Sequence, residues 1–321
     1  MLPDVLAGMR LPVLCAPMFL VSGPELVIAA AKAGVLGAFP APNCRTTDEL
    51  DAWLGTITGA VDSPWALNLV THRTNTRLAD DLRLVAEYRP PVVITALGSP
   101  APAVEVVHAY GGLVIADVVD LRLARKAVAA GVDGLGLVSA GSGGHTGHLS
   151  PLAFVPAVRS FFDGLLVVGG GVADGAGVLG GLATGADLVS IGTRFLATAE
   201  SRAVPEYKRM VVDHGPDDLV ISAAVTGTPA SWLRPSLDAH GIDPAGTPAG
   251  GRAYDSANPA ARWRDLWAAG QGLGLVTDAP PVAEVVDRLE SEFRTALDRL
   301  VTRPPHPGGT AGSSRPAGTT S

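Results

Sequence analysis

Cysteine is nearly absent: Cys15 and Cys44 are the only two in 321 residues. Two thiols cannot build a disulfide framework, and their spacing fits no metal-ligand motif, so no metal site is expected. Cys15 lies inside an apolar run, where a free cysteine behaves as a small buried hydrophobe. Basic residues are also scarce, 24 lysines and arginines against 31 aspartates and glutamates, for a net charge of −7. That balance lacks the positive footprint a nucleic-acid partner requires. No stretch approaches the ~20 uninterrupted apolar residues of a membrane-spanning helix. The 47% hydrophobic content is therefore assigned to a core. The opening Met1-Leu2-Pro3-Asp4 has no basic n-region of a signal peptide. These absences predict a cytoplasmic protein with neither a membrane nor a nucleic-acid partner. A chain of this length buries about 75% of its unfolded surface and needs no covalent staple.

What is present is a long alternation. Short apolar runs recur at Val13–Met18, Leu36–Ala41, Trp65–Val70, Val92–Gly98, Gly112–Val118, Gly134–Ser139, Leu165–Gly171 and Leu188–Phe195. Between them lie segments with apolar spacing of three and four, among them Pro24–Ala33, Thr76–Tyr88, Leu121–Ala130 and Ala176–Thr184. Strands alternating with helices predict parallel βαβ units, and eight units predict a closed (β/α)8 TIM barrel of the α/β class. The rival, an open doubly wound sheet, would carry its glycine fingerprint after the first strand. Here Phe19-Leu20-Val21-Ser22-Gly23-Pro24 follows instead. Asp120 and Ser150-Pro151 read as helix starts, and Ala33-Gly34 and Ala130-Gly131 as helix stops. Gly131-Val132-Asp133 and Gly185-Ala186-Asp187 precede the sixth and eighth runs as an echo of each other.

The alternation ends after the eighth run. Residues 203–275 are expected to form a small, mainly helical cap, or substrate domain, inserted after strand eight. Residues 1–202 and 276–302 are assigned to the barrel with a packing helix near its end. Residues 303–321, rich in Pro, Gly, Ser and Thr, are expected to be a disordered tail.

Barrel active sites lie at the C-terminal strand ends. Ala16-Pro17-Met18 ends strand one, Asn68 lies on strand three, and Asp117 comes near the end of strand five. Strand six leads into Ser139-Ala140-Gly141-Ser142-Gly143-Gly144-His145-Thr146-Gly147-His148. Glycines let a backbone approach a ligand closely, and a histidine at a strand end is placed for proton transfer near neutral pH. Gly169-Gly170-Gly171 ends strand seven and Gly192-Thr193 ends strand eight. In barrels this pair of loops commonly holds a phosphate on exposed backbone N–H groups. A phosphate ligand that also reaches Asn68 and His145 has the span of FMN. His148 reads as an outward loop residue, Arg194 as an ion-pair partner, and Trp232 and Trp263 as cap core.

These motifs together resemble the nitronate monooxygenases, formerly grouped with 2-nitropropane dioxygenase. They are Ala16-Pro17-Met18, Asn68, Ala140–Gly147, Gly170–Gly175, Gly192-Thr193-Arg194-Phe195 and Ala269-Gly270-Gln271-Gly272. The resemblance implies non-covalent FMN and an oxidoreductase, a monooxygenase acting on alkyl nitronates and nitroalkanes with O2. It implies that Ala16, Pro17 and Met18 flank the flavin and that Asn68 hydrogen-bonds it. It implies further that Ser142, Gly143 and Gly144 approach it, that Gly170, Gly171, Gly192 and Thr193 hold its phosphate, and that Gln271 and Gly272 lie on the cap side. His145 would be the base. Asp117 is either a polar contact near the flavin or a partner for a neighbouring helix N-terminus. The sequence departs from the family at Ser142, where alanine is usual, at Gly141, where some members carry glutamate, and at Thr95-Ala96-Leu97-Gly98. Those departures leave the substrate open. An FMN-dependent enoyl-thioester reductase, an NAD(P)H:quinone-type reductase and a specialised biosynthetic flavoenzyme are the alternatives on the same barrel. A phosphate-binding barrel without redox chemistry is the alternative outside it. The expected partners are a small-molecule substrate and O2, and the expected assembly is a monomer or homodimer.

Overall fold

A computed structural model describes residues 2–246 and 264–302. All eight apolar runs become strands: β1 Val13–Cys15, β2 Leu36–Pro40, β3 Trp65–Val70, β4 Val92–Ala96, β5 Leu113–Val118 and β6 Gly134–Val138, then, after a short β7 at Gly144–His145, β8 Leu165–Gly169 and β9 Leu188–Ile191. They close in the order β1-β2-β3-β4-β5-β6-β8-β9, and every pair around the ring is parallel. Several strands are shorter than their apolar runs. Pro17 has no N–H for the ladder, and the glycine-bearing ends Leu97-Gly98, Gly170-Gly171 and Gly192 onward turn out of it to form the mouth.

Side chains on a strand alternate between its two faces. The inner face carries Leu14, Leu36, Ala38, Ala66, Val92, Ile94, Ile115, Leu165, Val167 and Leu188, with Leu6 of the Asp4–Leu6 turn joining them. The outer face, with Val13, Phe39, Leu67, Val93, Ala116, Leu135 and Val168, packs against the helices. Both faces are buried, which explains why the runs show no polar alternation.

The helices are α1 Pro24–Ala33, α2 Thr47–Thr58, α3 Leu78–Tyr88, α4 Ala101–His108, α5 Leu121–Ala129, α6 Pro151–Arg159 and α7 Gly175–Ala183. Three of them start at side-chain caps. Thr46 accepts from the Glu49 N–H, Asp120 from Leu123 and Asp174 from Gly177. A long helix, Val282–Val301, buries Val282, Val285, Val286 and Leu289 against the barrel layer.

The echoed aspartates have a shared job. The Asp133 carboxylate accepts from the Val114 N–H at 2.8 Å and meets His108 Nε2 at 2.8 Å. The Asp187 carboxylate accepts from the Leu166 N–H at 2.8 Å and from Arg159 at 2.7 Å. Each binds the first turn of ladder on the neighbouring strand, at the end opposite the mouth.

After β9 come a single turn α8 Thr193–Leu196, then α9 Pro205–Asp213, β10 Leu219–Ser222, β11 Ala230–Leu233 and α10 Arg234–Ala239. This segment thus holds helices and a β-hairpin, and the hairpin is not announced by the sequence. β11 pairs antiparallel with both β10 and β7, so Ser231 lies opposite Gly144 and Ala230 opposite His145. The glycine-histidine loop of the barrel is the edge strand of the cap sheet. Trp232 is fully buried there, as its reading as core packing required. Trp263 and the expected tail 303–321 lie outside the described residues. No helix among the described residues is long and apolar enough to cross a membrane.

Replacing Asp187 by alanine removes an acceptor for the Leu166 N–H and for Arg159. The expected loss is about 1–3 kcal/mol of unfolding free energy, read as a lower denaturant midpoint at unchanged slope. An unchanged midpoint would show that the aspartate does not hold the ladder.

Candidate active site

The mouth begins at β1. Ala16, Pro17 and Met18 are half-buried there. Asn43 fixes the loop that follows: its side chain accepts from the Leu20 N–H at 2.8 Å and donates to the carbonyls of Met18 at 3.1 Å and Ser22 at 2.7 Å. The Ser22 hydroxyl accepts from the Met18 N–H. Leu20 takes a left-handed φ of 61° inside that clamp, a strained conformation for a leucine that only a well-bonded loop sustains. A Cβ on Gly192 would stand 3.6 Å from Met18 Sδ and 3.7 Å from Ala16 Cβ. The β1 and β9 loops therefore adjoin.

The turns after β8 and β9 form the next wall. Gly170 and Gly171 have φ of 154° and 74°, conformations that a side chain disfavours. A Cβ on Gly170 would fall 2.6 Å from the Ala140 carbonyl. A strap, Ala269-Gly270 and the turn Gln271–Leu275, closes against these loops. The Gly270 N–H donates to Thr193 Oγ1 at 2.9 Å and the Gln271 N–H donates to the Gly141 carbonyl at 2.9 Å. Gly143 touches the same strap, where a Cβ would meet the Gly270 nitrogen at 2.7 Å. Gly272 is buried and Gln271 exposed. Ser142 donates to the Gly169 carbonyl at 3.1 Å, tying the β6 loop to the end of β8. Among the described residues no protein acceptor takes the N–H of Gly170, Gly171 or Thr193. Such groups at turn ends form an anion cradle.

Three polar side chains stand on the inner face of the strands. Asn68 pairs in register with Ile94, and Asp117 follows Ile115 by two positions, so both share the face of the inner core. Asn68 is only 7% exposed, and a buried amide ordinarily requires partners. None among the described residues bonds its side chain. Asp117 leans over β6: a Cβ on Gly136 would lie 2.2 Å from its Oδ1, so a side chain there would push the carboxyl out of its place. Burial pushes its carboxyl up to about 7. Ser190 is the third, inward on β9 beside Gly169.

His145 is carried on β7 between barrel and cap. Its ring is reachable by solvent, yet the protein crowded around it replaces much of its hydration, and that desolvation lowers its pKa from the ordinary 6.5. The imidazole is therefore neutral at pH 7 and able to accept a proton.

The residues singled out from sequence thus fall on seven mouth segments. Ala16, Pro17, Met18 and Gly192 adjoin, and Gly143, Gly170, Gly171, Thr193, Gln271 and Gly272 meet at the strap. Asn68 and Asp117 face inward, and Gly144 and His145 form the edge of the cap sheet. Asp117 does not serve a helix N-terminus; Asp120 caps α5. Ser142 and the Thr193 hydroxyl are engaged by protein. Arg194 is an ion-pair residue, 3.0 Å from Asp278. Sequence reasoning missed Ser190, hidden because both faces of β9 are buried, and Asn43, whose role depends on a loop from another βα unit.

The nitronate monooxygenase family model matches residues 72–292. An octahydro-indene carboxyl-CoA dehydrogenase of Mycobacterium tuberculosis is 31% identical over 72% of this chain, and the match spans 65% of that relative's length. A nitronate monooxygenase of Paraburkholderia phytofirmans is 27% identical over 92% of this chain and 95% of its own. The solved nitroalkane oxidase of Streptomyces ansochromogenes superposes with a TM-score of 0.80 at 25% identity, covering 92% of this chain and 100% of that one. The chain has (β/α)8 TIM-barrel architecture and belongs to the nitronate monooxygenase family.

Proposed function

We propose that this protein binds FMN in the barrel mouth and oxidises alkyl nitronates and nitroalkanes with O2, with His145 as the base. One observation carries the reading. Two glycine turns with unclaimed N–H groups lie at the same end of the barrel as the inward amide of Asn68, which has no protein partner among the described residues. A ligand with an anionic group at one end and a hydrogen-bonding ring at the other meets both needs. Gly170, Gly171, Gly192 and Thr193 would hold the phosphate, and Asn68 and Asp117 the ring. Ala16, Pro17 and Met18 would flank the ring, with Ser142, Gly143 and Gly144 on the β6 side and Gln271 and Gly272 on the strap. The redox chemistry, electron transfer from substrate and onward to O2, is what a bound flavin supplies.

His145 has one task in this scheme. Supplied with a neutral nitroalkane, its unprotonated ring nitrogen takes the proton from the carbon next to the nitro group. Supplied with a nitronate, already deprotonated, it has no proton to remove. The pairing of β7 with β11, His145 opposite Ala230, holds the backbone of His145 in place.

A second reading rests on the dehydrogenase relative, whose name specifies a CoA thioester. On that reading the same mouth takes a thioester, and electrons pass between the thioester's carbon chain, the flavin and a nicotinamide. Anaerobic addition of NADH or NADPH separates the two. Rapid loss of flavin absorbance, followed by turnover of a conjugated thioester, favours the second.

For His145→Asn, the expected result is retained flavin, retained oxidation of nitronate and a loss of about 10²–10⁴-fold in turnover of neutral nitroalkane. Proton abstraction at the wild-type rate would remove His145 from the role. Because burial lowers the His145 pKa, kcat/KM for neutral nitroalkane should stay level from pH 8 to pH 6.5 and fall only below the ordinary histidine value. An acid limb centred above 6.5 would contradict that environment. Gly171→Ala forces a side chain onto a φ of 74° at about 1–2 kcal/mol, so FMN should bind about tenfold more weakly. Unchanged FMN affinity in a folded variant would place the phosphate elsewhere.

A further inference from the structure

We propose that Asp117 acts as a neutral carboxylic acid, donating one hydrogen bond to an acceptor atom on the polar edge of the bound flavin ring. The assignment rests on the flavin reading above and adds to it a proton that the binding site must carry.

The argument starts from placement. Asp117 is the inward residue of β5 next above Ile115, which belongs to the apolar inner core. Its carboxyl lies across β6 in the space opened by Gly136. Its neighbours offer it no protein partner. β4 reads Val-Val-Ile-Thr-Ala and β6 reads Gly-Leu-Gly-Leu-Val, with no ionisable side chain on either. Asp120, next along the chain, is committed to the Leu123 N–H. His72, on the loop after β3, has its Nδ1 2.8 Å from the Thr74 hydroxyl. His145 stands on the loop after β6 and is neutral at pH 7. Among the described residues no cation offsets a negative charge on Asp117, and desolvation is what raises its pKa.

Ring order supplies the second part. β8 and β9, which carry the phosphate turns, are the seventh and eighth strands of the closed barrel; β3 and β5 flank the fourth, across the mouth from them. A flavin has one hydrocarbon edge and one polar edge, the latter with two carbonyl oxygens and a ring nitrogen as acceptors and a single N–H donor. Asn68 can satisfy one donor and one acceptor. The remaining acceptors need a donor. A carboxylate is acceptor-only, so its lone pairs would oppose those of the ring, whereas the protonated acid donates. In an apolar setting the acid form is also the cheaper one to bury.

The sign follows by linkage. The acid is half protonated near pH 7 without ligand. An acceptor that bonds only the protonated form raises the value further. FMN then binds tightest below pH 7, and its affinity falls as pH rises through the window between the free and bound values.

The test is a fluorescence titration of the full chain with FMN from pH 6 to pH 9, for wild type, Asp117→Asn and Asp117→Ala. For wild type, the expected Kd rises about tenfold between pH 7 and pH 8.5. Asn keeps an N–H donor at every pH, so its Kd should stay within about threefold of the wild-type value at pH 6.5. Ala should bind more weakly throughout and lack the rise. A wild-type Kd that is flat across the range, or an Asn variant with the same rise as wild type, overturns the Asp117 assignment and leaves the flavin reading intact. Wild type that binds no FMN at any pH overturns both. Should the Asn variant not fold, infrared detection of the protonated carboxyl in wild type decides the matter. FMN must extend that band to higher pH, and a band unmoved by FMN overturns the proposal.

Discussion

Eight parallel strands closed into one ring must all end on the same side, and that constraint governs the rest of this molecule. It gathers the turns after β1, β6, β8 and β9 around a single mouth although they are far apart in sequence. It also gives each strand an inner face that is apolar below and can turn polar only at its last residues. Ile94, Ile115 and Val167 fill the interior, while Asn68, Asp117 and Ser190 stand toward the mouth. Closure itself depends on pieces remote from the chemistry. Asp133 and Asp187 secure the opposite strand ends, and the Val282–Val301 helix covers the outer layer.

The site is then assembled by contacts between loops. Asn43 holds the loop after β1, Ser142 ties the β6 loop to β8, and the strap at Gly270-Gln271 bonds both Thr193 and Gly141. Glycine is required where these backbones nearly touch, as at Gly143 against Gly270. These contacts tie the mouth loops to one another. A preorganised site loses less freedom when it binds. His145 has a different support: it pairs with Ala230 of β11, so a shift of that sheet would move the imidazole relative to the barrel floor.

Much of this was legible in the sequence. The eight apolar runs and the helix caps at Asp120 and Gly34 foretold the barrel, and the ordinal positions of the two glycine turns put them at its mouth. Four things were not legible, each for a physical reason. The strand β7 is two residues long and finds its partner β11 far along the chain, so no local pattern marks it. The β10–β11 hairpin is short and lies in a Pro- and Gly-rich region that reads as irregular. Ser190 sits in a strand buried on both faces, where alternation carries no signal, and the partnerless state of Asp117 depends on what β4 and β6 lack.

The most direct measurement is the absorbance spectrum of the purified chain under argon, before and after addition of an alkyl nitronate, with oxygen uptake recorded when air is readmitted. The account predicts a flavin band near ~450 nm, its loss on adding nitronate, and oxygen consumption as it returns. A colourless protein that stays colourless when FMN is added would contradict it.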